Sequence, residues 1–175
     1  MEKIFYADRS AYSTTDEAVR TVLARHFGVE NAEIVRNENG KPYLKDGKSL
    51  FFSVSHTNTK IFIAVSDENV GLDAERAERE TAYHAIVKKF SPSERKEIVC
   101  TQDFLRHFTA KEAAVKWLGG TLAHDLYKLS YINGVLTYGE AALPPVSFPF
   151  FEGYILAVCG ERDFSNVQCV PIEIR

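Results

Sequence analysis

Cysteine is scarce in this chain. Cys100, Cys159 and Cys169 are the only three, and no two stand in a CxxC pair. An odd, sparse set suggests a reducing compartment and no disulfide framework, so a cytoplasmic protein is expected. Cys159 and Cys169 could face one another across a hairpin, but are expected as two small core residues. A basic excess is missing as well. Lys and Arg number 21 against 24 Asp and Glu, a formal net charge of -3. Nucleic-acid binders usually carry positive charge, and anionic membranes attract polybasic segments, so neither is expected as a partner. No apolar run approaches the roughly 20 residues of a membrane span. Charges interrupt the apolar residues of "MEKIFYADRS", so no secretory signal is expected there. What remains is ordinary for a soluble globular protein: 45% hydrophobic and 26% charged residues. A chain of 175 residues can bury a real core as one large domain or two small lobes.

The order of elements narrows the class. "KIFYAD" (3–8) reads as a strand. "TTDEAVRTVLARHFG" (14–28) reads as a helix with Thr14 or Thr15 as cap, acids in its first turn and Gly28 at its end. Val19, Val22, Leu23 and Phe27 recur at helical spacing and form its buried face. Strands follow at 32–37, 51–56, 60–66 and 70–75, separated by turn residues. Helices are expected at 77–90, at 91–99 with Ser91, Pro92 and Glu94 as a start signal, and at 103–118 closed by Gly119 and Gly120. Strands return at 126–132, 135–138, 147–150, 153–159 and 166–173, with Asn133–Gly134 as a hairpin signal. This order implies an α+β fold of two lobes, about 1–70 and 71–175.

The chemistry concentrates in two short stretches. In "VGLDAE" (70–75), Asp73 and Glu75 lie at i and i+2 on a strand, so both carboxylates point to one side. Like charges held close disfavour each other's ionisation. Alone, the pair also fits a strand end emerging into water, since Glu78 and Glu80 follow. In "FTAKEAAVKW" (108–117), Glu112 and Lys116 share a helical face at i and i+4, and Lys111 lies about 100° round from Glu112. Alone, that is a common solvated pair worth a few tenths of a kcal/mol. Together, three carboxylates and neighbouring lysines suit a phosphate and a hard cation. Mg²⁺ takes a few carboxylate oxygens and leaves its other positions to water and phosphate, and the lysines would neutralise phosphate oxygens. "NGKPYL" (39–44) sets Lys41 between a glycine and Pro42. "FSVSHT" (52–57) ends a strand with Ser55 and His56; the histidine could donate to a phosphate or simply bind water in a loop.

"VGLDAE", then "FSPSE", then "FTAKEAAVKWLGG", in this order and spacing, resembles the surfactin-type 4′-phosphopantetheinyl transferases, whose signatures are a G-hydrophobic-D-x-E strand end and a [WF]-[ST]-x-K-E-[AS]-x-x-K helix. "NGKPYL" and "FSVSHT" are similar to that family's upstream segments, with Ser53 where the family carries asparagine. The resemblance covers about residues 16 to 130. It implies two similar lobes forming a pseudo-dimer in one monomeric chain, with coenzyme A between them. It implies transfer of the 4′-phosphopantetheine arm to a serine of an acyl or peptidyl carrier protein, releasing adenosine 3′,5′-bisphosphate. By the match, Asp73, Glu75 and Glu112 hold Mg²⁺, or Mn²⁺, against the diphosphate. Lys111 and Lys116 contact that diphosphate, Lys41 and Pro42 lie beside the adenine, and Ser55 and His56 lie near the 3′-phosphate. Arg20 and Arg25 are further nucleotide candidates that no motif fixes.

The implied chemistry agrees with the residue types. Glu112 would accept the serine proton, directly or through a metal-bound water. Lys116 would stabilise the leaving group. The resemblance also implies that roughly 76–100 meets the carrier, through Ile86, Val87, Lys88, Lys89 and Phe90; a core-facing helix with its lysines in solvent is the other reading of that stretch. The rival from another class is a non-catalytic coenzyme A or nucleotide binder with the same fold.

Overall fold

The computed structural model describes residues 1–47 and 49–173. Strand β1 (Glu2–Asp8), a 3-10 turn (Arg9–Ala11) and helix α1 (Thr15–Phe27) open the chain. Strands β2 (Ile34–Arg36), β3 (Pro42–Leu44), β4 (Phe51–His56), β5 (Lys60–Ser66) and β6 (Val70–Arg76) follow. The helical stretch holds α2 (His84–Val87), α3 (Pro92–Glu97), α4 (Thr101–Leu118) and α5 (Leu122–Asp125). The remainder is β7 (Leu129–Ile132), β8 (Val135–Tyr138), β9 (Ala141–Ala142), β10 (Val146–Ser147), β11 (Phe150–Phe151), β12 (Tyr154–Gly160) and β13 (Cys169–Pro171). The fold is mixed α+β, as the order of elements implies.

Local signals explain the principal helices. The Thr14 hydroxyl accepts the Glu17 amide at 3.1 Å, and Gly28 ends α1 in the left-handed region at φ 67°. Ser91 and Glu94 exchange two bonds of 3.2 Å in a full capping box at the start of α3. Gly119, at φ 69°, ends α4.

Two sheets carry the core. The first has the order β13-β1-β5-β4, antiparallel except for β13, which runs parallel to β1. Helix α1 buries Ala18, Val19, Val22 and Leu23 against Phe5, Phe52, Ile61 and Ile63 of that sheet. In the second, β12 pairs antiparallel with β6 over seven residues and also with β10 and β11. Helix α4 lies across β6 and β12, with Ala110, Ala113 and Ala114 packed on Ala157 and Cys159. Small side chains there let helix and sheet approach closely.

Between the sheets, β4 and β6 run side by side with no backbone ladder. Ser53 Oγ accepts the Leu72 amide at 2.9 Å, and Ser55 Oγ accepts the Ala74 amide at 3.1 Å. Two serine hydroxyls thus take the place of ladder carbonyls, and both are buried.

Three expectations need correction. The helix expected over 77–90 survives only as α2. Tyr83, Ile86, Val87 and Phe90 pack into a core with Ile98, Phe104 and Leu105, whereas Glu78, Arg79 and Glu80 have nothing to bury, so packing cannot offset the cost of starting a helix there. The strand expected over 147–150 divides into β10 and β11, with Pro149 between them withholding a donor. The strand expected over 166–173 is confined to β13, and Ile172 beyond it joins the core under α1.

Candidate active site

Gly71 decides how the site is assembled. A Cβ at this position would lie 2.0 Å from the Ala113 carbonyl oxygen and 2.5 Å from the Trp117 amide nitrogen. Helix α4 therefore rests backbone to backbone on β6, and only glycine permits that. Two residues further along β6, Asp73 meets the face of α4 that carries Glu112 and Lys116.

Asp73 is 3% exposed. Its Oδ1 accepts from Lys116 Nζ at 2.7 Å and from Ser55 Oγ at 2.9 Å. Its Oδ2 is buried with no hydrogen-bond partner among the described residues, a costly state for a carboxylate oxygen. Burial, and then the charge of Asp73, push the Glu112 carboxyl up to about 9, with Lys116 opposing. Glu112 therefore keeps its proton at neutral pH. The third predicted ligand, Glu75, has been drawn aside: its Oε1 accepts from Arg79. Among the described residues no three His, Cys, Asp or Glu side chains are gathered as a ready-made metal centre. The structure brings Asp73 and Glu112 together with Lys116 and leaves Glu75 on its arginine.

Lys41 and Pro42 share a cavity of about 210 Å³ with Lys116, Ser53 and Val54. Lys41 Nζ donates to Asn69 Oδ1 at 2.8 Å and to the Trp117 carbonyl at 3.3 Å. Asn69 reaches the same carbonyl at 2.8 Å, while Asn37 and Asn39 each donate to the Gly119 carbonyl at 2.9 Å. These donors cap the carbonyl end of α4, where a cation is also favoured. Buried among neutral acceptors, the Lys41 ammonium is lowered to about 8. His56 is exposed at the end of β4 and lines a cavity of about 500 Å³ with Glu75, Arg76 and Arg79. Arg20 and Arg25 spend donors on the carbonyls of Ala32 and Glu173.

Two of the residues expected at the phosphate, Lys111 and Ser55, are buried in this structure. Lys111 is fully buried; its Nζ donates to Glu94 Oε1 at 3.1 Å and sits 3.5 Å from the centroid of the Phe90 ring. The step of one residue round α4 turns it away from Glu112 and under α3. The Ser55 hydroxyl is 5% exposed and already serves Asp73 and the Ala74 amide, so it does not face an open cleft. Phe90 is a core residue, 4% exposed, while Lys88 and Lys89 remain in solvent.

Sequence reasoning missed Arg79 and Glu94. Arg79 stands four residues after Glu75, a spacing open to inspection. Glu94 was legible as a cap, but Oε1 also holds Lys111 and the Tyr131 amide at 3.0 Å, a long-range pairing with no local signal.

Comparison with known proteins adds an independent line. A sequence profile of the 4′-phosphopantetheinyl transferase superfamily matches residues 69–159, from the start of β6 to the end of β12. The chain is 30% identical to a 4′-phosphopantetheinyl transferase of Bacillus subtilis across 98% of its own length and 82% of that protein's. It is 30% identical to the 4′-phosphopantetheinyl transferase AcpT of Salmonella typhimurium, over 76% of this chain and 69% of that one. To the 4′-phosphopantetheinyl transferase Sfp of Bacillus subtilis strain 168 it is 25% identical, over 89% and 76%.

Proposed function

The chain belongs to the 4′-phosphopantetheinyl transferase superfamily, and from that premise we propose that it transfers the 4′-phosphopantetheine arm of coenzyme A to a serine of an acyl or peptidyl carrier protein, releasing adenosine 3′,5′-bisphosphate. One observation carries the reading. Asp73 and Glu112, from separate elements, meet at a buried point, with Lys116 on one oxygen of Asp73 and, among the described residues, only the Glu112 carboxyl to share the other. Two carboxyls packed in this way repel each other when both are ionised; a proton on Glu112 relieves that at neutral pH, and a cation would relieve it with both carboxylates charged. The orphaned Oδ2 and the proton retained by Glu112 both fit a hard divalent cation, with Asp73, Glu75 and Glu112 as the residues to hold it. Mg²⁺ bound there would neutralise the diphosphate and the charge developing on the leaving group.

The remaining residues take roles that their positions support. Lys116 points its ammonium into the site and shares a cavity with Lys41 and Pro42, so phosphate oxygens of the nucleotide would find two lysines there. His56, exposed at the end of β4 in the cavity that Glu75 lines, would add a donor. Lys111 supports the site from beneath, through Glu94, rather than touching phosphate. Glu112 cannot accept a proton while it carries one; positive charge beside it favours the carboxylate. As the carboxylate it takes the serine proton while the serine oxygen attacks the β-phosphorus. The new O–P bond forms, the bond to the bridging oxygen breaks, and the bisphosphate leaves with its charge balanced by Lys116. On this reading residues 1–70 and 71–175 are two similar lobes forming a pseudo-dimer, coenzyme A lies in the seam between them, and the enzyme works as a cytoplasmic monomer. The described residues contain no helix long and apolar enough to cross a membrane.

The test is intact-mass analysis of an apo carrier protein incubated with the enzyme, coenzyme A and Mg²⁺. The carrier should gain one phosphopantetheine as adenosine 3′,5′-bisphosphate appears, and Glu112→Ala should lose turnover while retaining part of its coenzyme A affinity. An unmodified carrier, across fatty-acid, polyketide and nonribosomal-peptide types, would refute the reading.

A further inference from the structure

Glu75 follows Asp73 on the same side of β6, yet its carboxylate is held differently. The side chain is 15% exposed, and Arg79 reaches back so that its Nη1 donates to Oε1. The turn that allows this is closed by the Arg79 amide on the Arg76 carbonyl at 3.0 Å. Arg79 is itself 48% exposed. Glu78 and Glu80 line the same cavity, but among the described residues neither forms an ion pair with it. Arg76 lies in that cavity too and forms no ion pair among the described residues.

We propose that Arg79 is a built-in competitor for the metal. Its guanidinium occupies the third carboxylate of the set, and a divalent cation must displace it before Asp73, Glu75 and Glu112 can act together. The proposal rests on the metal reading of those three residues. A partly exposed guanidinium–carboxylate pair is a modest interaction, so displacement weakens metal affinity by about twofold to fivefold rather than abolishing it. Once released, the guanidinium has Glu78 and Glu80 within the same cavity as alternative partners, so its charge is not stranded. The device sets a threshold: the site fills only when free divalent cation is high enough to outbid an internal one.

The experiment measures Mn²⁺ binding to the free protein, without coenzyme A, by the loss of the free Mn²⁺ paramagnetic resonance signal. Circular dichroism checks that every variant is folded. Arg79→Ala should bind Mn²⁺ about twofold to fivefold more tightly than the unsubstituted protein. Arg76→Ala removes the same charge from the same cavity without freeing Glu75, and it should change affinity less than twofold. Glu75→Gln should weaken binding. If Arg79→Ala leaves affinity unchanged, or if Arg76→Ala tightens it equally, the competitor role is refuted while the metal site stands. If Glu75→Gln binds Mn²⁺ as well as the unsubstituted protein does, the metal reading of Glu75 is lost, and the proposal with it.

Discussion

Replacing Gly71 by alanine tests the assembly of the site more directly than removing any of its acids. The added methyl would lie 2.0 Å from the Ala113 oxygen and 2.5 Å from the Trp117 nitrogen, both backbone atoms of one helix. A comfortable contact is about 3.5 Å, so α4 must retreat by more than about 1 Å or tilt. Overpacking of this kind usually costs about 1–3 kcal/mol, and with backbone on the receiving side the upper end applies. At about 2–4 °C per kcal/mol for a chain of this size, Tm should fall by roughly 6–12 °C. The same retreat carries Glu112 and Lys116 away from Asp73. A misplacement of about 1 Å costs on the order of 100-fold in rate. Thermal melts followed by carrier-modification rates, taken well below the variant's transition, read both effects. Gly139→Ala is the control: its added methyl meets nothing within 4 Å, so it should cost only the strain of φ 58° and leave turnover intact. If Gly71→Ala melts within 2 °C of the parent and turns over at a similar rate, the backbone contact does not organise the site.

Glu112 gives a pH dependence. Its pKa rises from 4.5 in the unfolded chain to about 9 in the fold, so between those values the folded state holds the extra proton and stability falls as pH rises. Denaturant titrations in chelator at pH 6 and 8.5 should show a loss on the order of a few kcal/mol that Glu112→Gln lacks. Lys111→Met strands Glu94 in the core and should cost about 3–5 kcal/mol of stability; in the surviving folded fraction KM for coenzyme A should be unchanged, and a large rise would restore the phosphate role. Ser55→Ala removes one of the two donors to Asp73 Oδ1 and the acceptor of the Ala74 amide, which should cost about 1–3 kcal/mol. Calorimetry should find metal binding weakened in that variant more than nucleotide binding; the opposite order would return Ser55 to the nucleotide.

Much of this was legible in sequence because it depends on local rules. Thr14, Ser91 and the glycines that end α1 and α4 announce helix boundaries by themselves. The i, i+2 spacing of Asp73 and Glu75 and the i, i+4 spacing of Glu112 and Lys116 each place two side chains on one face. Single-sequence spacing does not say which partner lies opposite. Lys111 is one residue from Glu112, and only the packing of α3 reveals that it faces Glu94. Ser55 reads as an exposed strand end because its contact with β6 joins residues 18 and 19 positions apart. The segment 77–90 misleads because charged residues with good helix propensity continue past the point where anything can be buried.

The junction of β4 with β6 has a mechanical consequence. A continuous ladder resists shear along its whole length, whereas two hydroxyl bridges act as rivets. Opening that line breaks two serine–amide bonds at about 1 kcal/mol each, and with them the Ser55–Asp73 bond and the buried cluster that joins Ile4, Phe62 and Ala64 to Val70, Leu72 and Ala74, while the ladders on either side remain whole. The two sheets are therefore joined by side chains alone, while the strand that carries Asp73 and Glu75 is held to β12 by a backbone ladder of seven residues.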